Sequence, residues 1–308
     1  MLSLLAILFS GLLIVNCACP DSTVQFNLNT SLKSMMFLGT GSSYSLPMLT
    51  CIPPCKACES AASSSFSKNR RRNTSLFLQG ADGSHGIIDC GKTFVESARD
   101  FLLPMKVKRL DYVILSHGHS DAMLGLDDLR AYTDVSQTPI PVYADSQTWV
   151  DVKRIFAYIF SVRKENVPKL TSNMFEPFQP FQIMNTKFEA VPVEHGNNPD
   201  GSPYMSNGFL IDEKIFHVSD VSRIQESTMN YLTAKHSIEL LIIDCSSNNV
   251  DTPGHIGLDH VMRIHAIIKP RLTILTDISH LSEHYELQSM LPDNIMVGFD
   301  GLIVEFKA

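Results

Sequence analysis

The stretch Ser116-His117-Gly118-His119-Ser120-Asp121-Ala122 sets two imidazoles and a carboxylate at alternate positions, directly after the apolar run 112–115. In extended chain, residues two apart point the same way, so His117, His119 and Asp121 can face one pocket. Neutral imidazoles with a carboxylate suit zinc, and carboxylate-richer positions also accept manganese or iron. Alone, a histidine after a strand is more often a hydrogen-bonded surface or core residue. Four other chain positions shift the balance. Asp89 follows Gly86-Ile87-Ile88, and His195 follows Ala190-Val191-Pro192-Val193-Glu194. Asp220 follows Ile215-Phe216-His217-Val218-Ser219, and Asp277 follows Leu272-Thr273-Ile274-Leu275-Thr276. Potential ligands therefore stand at the ends of separate apolar runs, where the loops of a sheet gather to form a site.

The elements that must carry these residues are legible as short runs rich in β-formers and bounded by Gly, His or Asp. They lie at 35–38, 76–78, 87–88, 112–115, 140–143, 190–193, 215–218, 240–243, 272–275 and 302–306. Such runs read as buried or half-buried strands. Helix-like stretches fall at 124–133, 147–160, 225–235, 258–268 and 283–290, the fourth stopping just before Pro270. Strands come first in a run and then alternate with helices, which predicts an α/β domain with helices on the outer faces of its sheets. Segment 60–72 is serine-rich and ends in Lys68-Asn69-Arg70-Arg71-Arg72. It reads as an exposed loop whose basic run is a solvated face, or else meets a phosphate.

The chain has 308 residues, 44% hydrophobic and 19% charged, a globular composition with ample material for a core. Its net charge of −7 argues against general affinity for nucleic acid or anionic membranes, so no nucleic-acid partner is expected. A small phosphate substrate remains compatible, because a bound metal supplies local positive charge. Residues 1–18 are apolar and read as a signal peptide or an N-terminal anchor. Cleavage predicts a secreted or endomembrane-lumen protein, an uncleaved segment a membrane attachment, and neither a cytoplasmic one. Residues 19–34 read as a polar lead-in, and 35–308 as one domain.

Seven cysteines are present, at 17, 19, 51, 55, 58, 90 and 245. The odd count and the tight cluster Cys51-x-x-x-Cys55-x-x-Cys58 do not resemble an even disulfide framework. Metal ligation fits the cluster better, with loop thiols or a Cys51–Cys58 disulfide as the rival. Cys90 and Cys245 read as small buried residues.

His117-Gly118-His119-Ser120-Asp121 resembles the signature of metallo-β-lactamase-fold hydrolases, whose motif normally reads His-x-His-x-Asp-His. The likeness spans roughly 35–306 and is nearest to phosphoribosyl 1,2-cyclic phosphate phosphodiesterase and its eukaryotic relatives. Supporting it are Phe37-Leu38-Gly39-Thr40-Gly41-Ser42-Ser43, the cysteine cluster, Asn69-Arg70-Arg71-Arg72-Asn73-Thr74-Ser75 and Gly125-Leu126-Asp127-Asp128-Leu129-Arg130. The resemblance implies a four-layer αββα sandwich with the metal site along one edge. His117, His119 and His195 would hold a first metal, Asp220 would bridge to a second, and Asp121 would bind that second metal. Two positions depart from the motif. Its last histidine is Ala122, which cannot bind a metal, and a late ligand histidine is Asp277, which can. This predicts zinc with a depleted second position that is weak or filled by manganese, or else a mononuclear site.

The resemblance further implies that Cys51, Cys55, Cys58 and His280 form a structural zinc site. A Cys₃His set closes a tetrahedron and leaves no open position. His255 stands where a family histidine could assist proton transfer to the leaving group. Asp89 would orient a ligand imidazole, as such partners commonly do. The chemistry implied is hydrolysis, because a bound metal lowers the pKa of water from about 16 toward about 7 and so provides hydroxide at neutral pH. The leading expectation is a phosphodiesterase for a small, in one version cyclic, phosphate ester. A thioester, lactone or β-lactam hydrolase and a metal-binding module without catalysis are the competing expectations.

Overall fold

The computed structural model describes residues 22–160 and 166–307, so the apolar segment 1–18 with Cys17, and also Cys19, lies outside it. Two sheets pack face to face. The first contains β1 Thr23–Asn27, β2 Leu32–Gly39, β3 Ser75–Gly80, β4 His85–Ile88, β5 Tyr112–Ile114, β6 Ile140–Ala144 and β7 Leu170–Met174. The second contains β8 Pro180–Ile183, β9 Thr186–Asn197, β10 Pro203–Ile211, β11 Ile215–Val218, β12 Leu240–Asp244, β13 Leu272–Thr276 and β14 Ile295–Val297. The last strand, β15 Ile303–Lys307, returns to the first sheet and inserts between β1 and β2. On the first half lie the helices α1 Lys56–Ser63, α2 Phe94–Ser97, α3 Ser120–Met123, α4 Arg130–Ser136 and α5 Ser146–Ile155. On the second half lie α6 Glu226–Lys235, α7 Leu258–Ile268 and α8 His284–Ser289. The result is the expected four-layer αββα sandwich.

Period-two alternation explains the layering. In β12, Leu240 and Ile242 join Phe37, Leu76, Phe188 and Phe209 in the core between the sheets. Leu241 and Ile243 point the other way and meet Leu232 of α6 and Val261 and Ile264 of α7. Both faces are buried, so the strand is apolar throughout rather than alternating. The first sheet does the same. Leu76 and Leu78 face the inner core, while Phe77, Ile87 and Val113 pack against Trp149 and Val152 of α5. Each such side chain contributes roughly 1.5–3 kcal/mol on burial. Each apolar run anticipated from sequence falls on one of the strands.

Three stretches differ from the sequence reading. The lead-in 19–34 supplies β1, which pairs in parallel with β15 from Thr23↔Ile303 to Asn27↔Lys307. Its polar residues are those of an exposed edge strand. The helix expected at 124–133 is a 3₁₀ segment, Leu124–Leu129, followed by α4.

The expected exposed loop 60–72 is the third. It begins inside α1, and its basic run turns inward, with Arg71 fully buried and Arg72 8% exposed. Arg71 donates from Nη1 to the carbonyls of Ser279 (3.1 Å) and Ser282 (2.9 Å), and from Nη2 to Asn69 Oδ1 (3.1 Å). Arg72 pairs with Asp100 and, at 3.5 Å, with Asp300. Both arginines are engaged by carbonyls and carboxylates of the protein. Arg71 braces the loop that carries His280.

Candidate metal centre

Three imidazoles converge at one edge of the sandwich. The ligand atoms of His117, His119 and His195 all lie within 4.8 Å of one another, and His119 Nδ1 is 3.2 Å from His195 Nε2. Asp220 Oδ1 sits 3.9 Å from His117 Nε2 and 3.7 Å from His195 Nε2. The two Asp220 spacings are too long for hydrogen bonds, and with the 3.2 Å imidazole pair they bracket the separation of about 3.3 Å expected of donors on a metal with bonds of about 2.0–2.1 Å. His117 Nε2 is buried without a hydrogen-bond partner, so that centre is where its lone pair is directed.

The far sides of two rings are fixed. Ser116 donates its backbone N–H to Asp89 Oδ1 and its hydroxyl to Asp89 Oδ2, both at 2.8 Å. With its only hydrogen committed, the hydroxyl accepts from His117 Nδ1–H at 2.8 Å. Asp89 thus orients His117 through Ser116 rather than directly. Its own backbone takes φ +61°, in the left-handed region that Asp tolerates better than most residues. His195 Nδ1 donates to the carbonyl of Gly254 at 2.7 Å. Gly254 has φ +84°, and a Cβ there would lie 3.3 Å from the His195 ring, so the close approach and the backbone both call for glycine. Both arrangements leave Nε2 unprotonated and turned inward. Burial holds His117 neutral, down to about 3, and also lowers His119.

A second cluster adjoins the first. His255 Nδ1 is 2.8 Å from Asp244 Oδ2 and 2.9 Å from Asp277 Oδ2. Burial opposes charge on this ring, but Asp244 and Asp277 outweigh it and hold His255 protonated well above the usual range. Asp244 is fully buried and Asp277 is 1% exposed. Asp121, half-buried, belongs to neither cluster's tight donor set. Burial, then the charges of Asp220 and Asp277, push its carboxyl up to about 7. Burial also opposes ionisation of Asp220, yet His117, His195 and His255 hold it below the usual carboxylate range. Buried carboxylates in this number cost several kcal/mol each unless cations or metals meet them. The donor chemistry fits divalent metal. His119, Asp121, His195 and His255 line a pocket of about 450 Å³, with Ser43 and Asn197 also on its wall.

Away from this edge, Cys51, Cys55, Cys58 and His280 bring their ligand atoms within 4.8 Å of one another. Cys51 Sγ is 3.5 Å and Cys55 Sγ 3.6 Å from His280 Nδ1, and Cys58 Sγ accepts from Met48 N–H at 3.4 Å. All three thiols are free of disulfides, which removes the Cys51–Cys58 pairing as a reading. Cys90 and Cys245 are buried, as expected.

Residues 87–278 match the family model described as the β-lactamase superfamily domain. The chain belongs to this superfamily. A solved diphosphatase of the PhnP family is 28% identical, with a TM-score of 0.74 over 89% of this chain and 98% of that one. Zinc-bound PqqB from Methylobacterium extorquens (15% identity, TM-score 0.71, 88% and 99% covered) shares the fold. So does the short form of human tRNase Z (17%, 0.60, 89% and 100%). An octanoyltransferase of Porphyromonas gingivalis (strain ATCC BAA-308 / W83) is 27% identical over 87% of this chain, which spans about half of that protein. The superfamily and these structural neighbours together support a hydrolase of the metallo-β-lactamase fold.

Within this fold, Ala122 is 3% exposed and its carbonyl accepts from Cys90 N–H at 2.6 Å, so the position that normally offers an imidazole is a packed backbone contact. Asp277, at φ +54°, instead turns toward His255. Asp244 is the functional candidate that sequence reasoning passed over. It ends the apolar run 240–243 just as Asp89 and Asp277 end theirs, and the same signal nominates it. Asn207 and Tyr204 of β10 carried no such signal. Asn207 donates its backbone N–H and its Nδ2 to the carbonyl of Ser116, each at 3.0 Å, tying the second sheet to the motif loop.

Proposed function

We propose that this hydrolase is a metal-dependent phosphodiesterase acting on a small, in one version cyclic, phosphate ester. The observation that carries the reading is His255 beside the His117/His119/His195/Asp220 cluster, sharing a pocket wall with His119 and His195. On this reading a proton donor would lie next to a Lewis-acid position. The PhnP-family diphosphatase, covered over nearly its whole length, supports phosphate chemistry. His117, His119 and His195 would hold the first metal with Asp220. Asp121 and Asp277 would serve a second, for which carboxylates without imidazole favour manganese or a weaker zinc. Bound metal supplies an activated water and draws charge off the phosphoryl oxygens. Asp121, on the wall of the same pocket, would orient a water there and accept its proton. His255 has Nδ1 committed to carboxylates, so Nε2 is the nitrogen left to protonate the leaving oxygen.

A panel of 2′,3′-cyclic phosphates, bis(p-nitrophenyl) phosphate, a thioester and a lactone, run with zinc or manganese, tests the reading. Turnover of the phosphodiesters alone is the expected result. Turnover confined to the thioester or lactone would transfer the assignment to carboxyl chemistry. Stoichiometric metal with no turnover at all would mark a binding module.

For the cysteine cluster we propose structural zinc, since three thiolates and one imidazole leave no open position. Cys55→Ser is expected to remove one zinc per chain and lower the melting temperature while phosphodiester turnover at permissive temperature persists. Elemental analysis beside a melting curve checks it, and an unchanged zinc count contradicts it.

A further inference from the structure

His117 and His195 are each steered by a hydrogen bond at the nitrogen facing away from the centre, whereas His119 has none among the described residues. It is also the most exposed of the three rings. What covers it is Tyr204, whose ring lies parallel to the imidazole, with centroids 4.6 Å apart and planes 8° apart. The phenol oxygen accepts from the backbone N–H of Gly118 at 3.2 Å, the residue between the two motif histidines. One side chain therefore fixes both the ring and the peptide that carries it.

The placement of Tyr204 is built into the sheet. Glu194 pairs with Met205 and Asn197 with Pro203, so β9 carries one residue more than β10 at this point, and His195 and Gly196 together oppose Tyr204. Gly196 takes φ +75°, the conformation such a bulge demands. Bulges re-aim side chains beside active sites, and this one brings His195 and Tyr204 to the same edge.

We infer that Tyr204 is the positioning residue of His119, holding by stacking the one cluster imidazole whose outward nitrogen has no hydrogen-bonded partner among the described residues. The inference rests on the reading of His117, His119 and His195 as metal ligands. Removing the ring frees His119 to rotate, and each metal captured must then immobilise it. Partners that orient metal-binding histidines typically alter metal affinity about 10–100-fold.

The test measures zinc dissociation constants by competition with a chromogenic chelator, and the visible d–d spectrum after cobalt substitution. Tyr204→Leu is expected to weaken the cluster metal about 10–100-fold and to shift the cobalt spectrum. Tyr204→Phe keeps the stack and should stay within a few-fold of the parent, while the zinc of the cysteine cluster is unchanged in both. Should Tyr204→Leu fail to fold, as judged by circular dichroism, Tyr204→Gln takes its place. Parental affinity and spectrum in the ring-less variant overturn the inference, as does an equal loss in Tyr204→Phe. His119→Ala separates the two failures: if it binds metal as tightly as the parent, the three-histidine reading itself falls.

Discussion

Replacing His117 by alanine is expected to empty the three-histidine cluster and to lower phosphodiester hydrolysis on the order of 10³-fold or more, because the gain from bringing the pKa of water from about 16 to about 7 goes with the metal. The size of the effect follows from geometry. His117 is buried, its Nε2 has no protein partner, and its tautomer is set by the chain from Asp89 through Ser116. His119, His195 and Asp220 remain as donors, but without the most deeply buried imidazole they are expected to hold the metal far more weakly. The Cys51/Cys55/Cys58/His280 cluster is separate and should keep its metal, so the count per chain falls without reaching zero. Elemental analysis and turnover of bis(p-nitrophenyl) phosphate read both parts. A His117→Ala protein that retained its full metal count and its turnover would dismiss the cluster as the catalytic site.

His255→Ala carries the second large effect, and it should depend on the leaving group. General acid catalysis is typically worth about 10²–10⁴-fold. An alkoxide leaving group, as in a 2′,3′-cyclic phosphate, needs that proton, whereas p-nitrophenolate departs without one. The expected result is a loss of about 10²–10⁴-fold on the cyclic substrate, with a much smaller loss on bis(p-nitrophenyl) phosphate and an unchanged metal content. Asp244→Asn should move in the same direction, since Asp244 Oδ2 lies 2.8 Å from His255 Nδ1 and helps keep the ring charged. Equal losses on the two substrates, accompanied by loss of metal, would make His255 a ligand instead of an acid.

The local chemistry of this chain is written in its strand ends. Apolar runs that stop at Asp89, His117, His195, Asp220 and Asp277 disclose both the sheets and the residues their edge presents, because a strand buried on both faces must be apolar until it reaches the site. The same logic covers Asp244. The spacing of Cys51, Cys55 and Cys58 likewise nominated a metal cluster, although His280, more than 200 positions away, reached it only through the family likeness.

Other features depended on long-range contacts that no local pattern encodes. The run at 68–72 looked solvated because charged residues usually are, yet Arg71 is buried where the carbonyls of Ser279 and Ser282 satisfy it. Tyr204 and Asn207 sit in a polar-looking stretch whose strand character comes from pairing with β9. Sequence alone nominated the strands and the candidate donors by periodicity and residue type, and the superfamily and the sandwich by the likeness of the 117–121 motif to a known family. Tertiary structure decided what holds those donors: Ser116 between Asp89 and His117, two carboxylates on one nitrogen of His255, and Tyr204 over His119 at a bulge. Those arrangements join residues far apart in the chain, and only the packing of one sheet on the other brings them within reach.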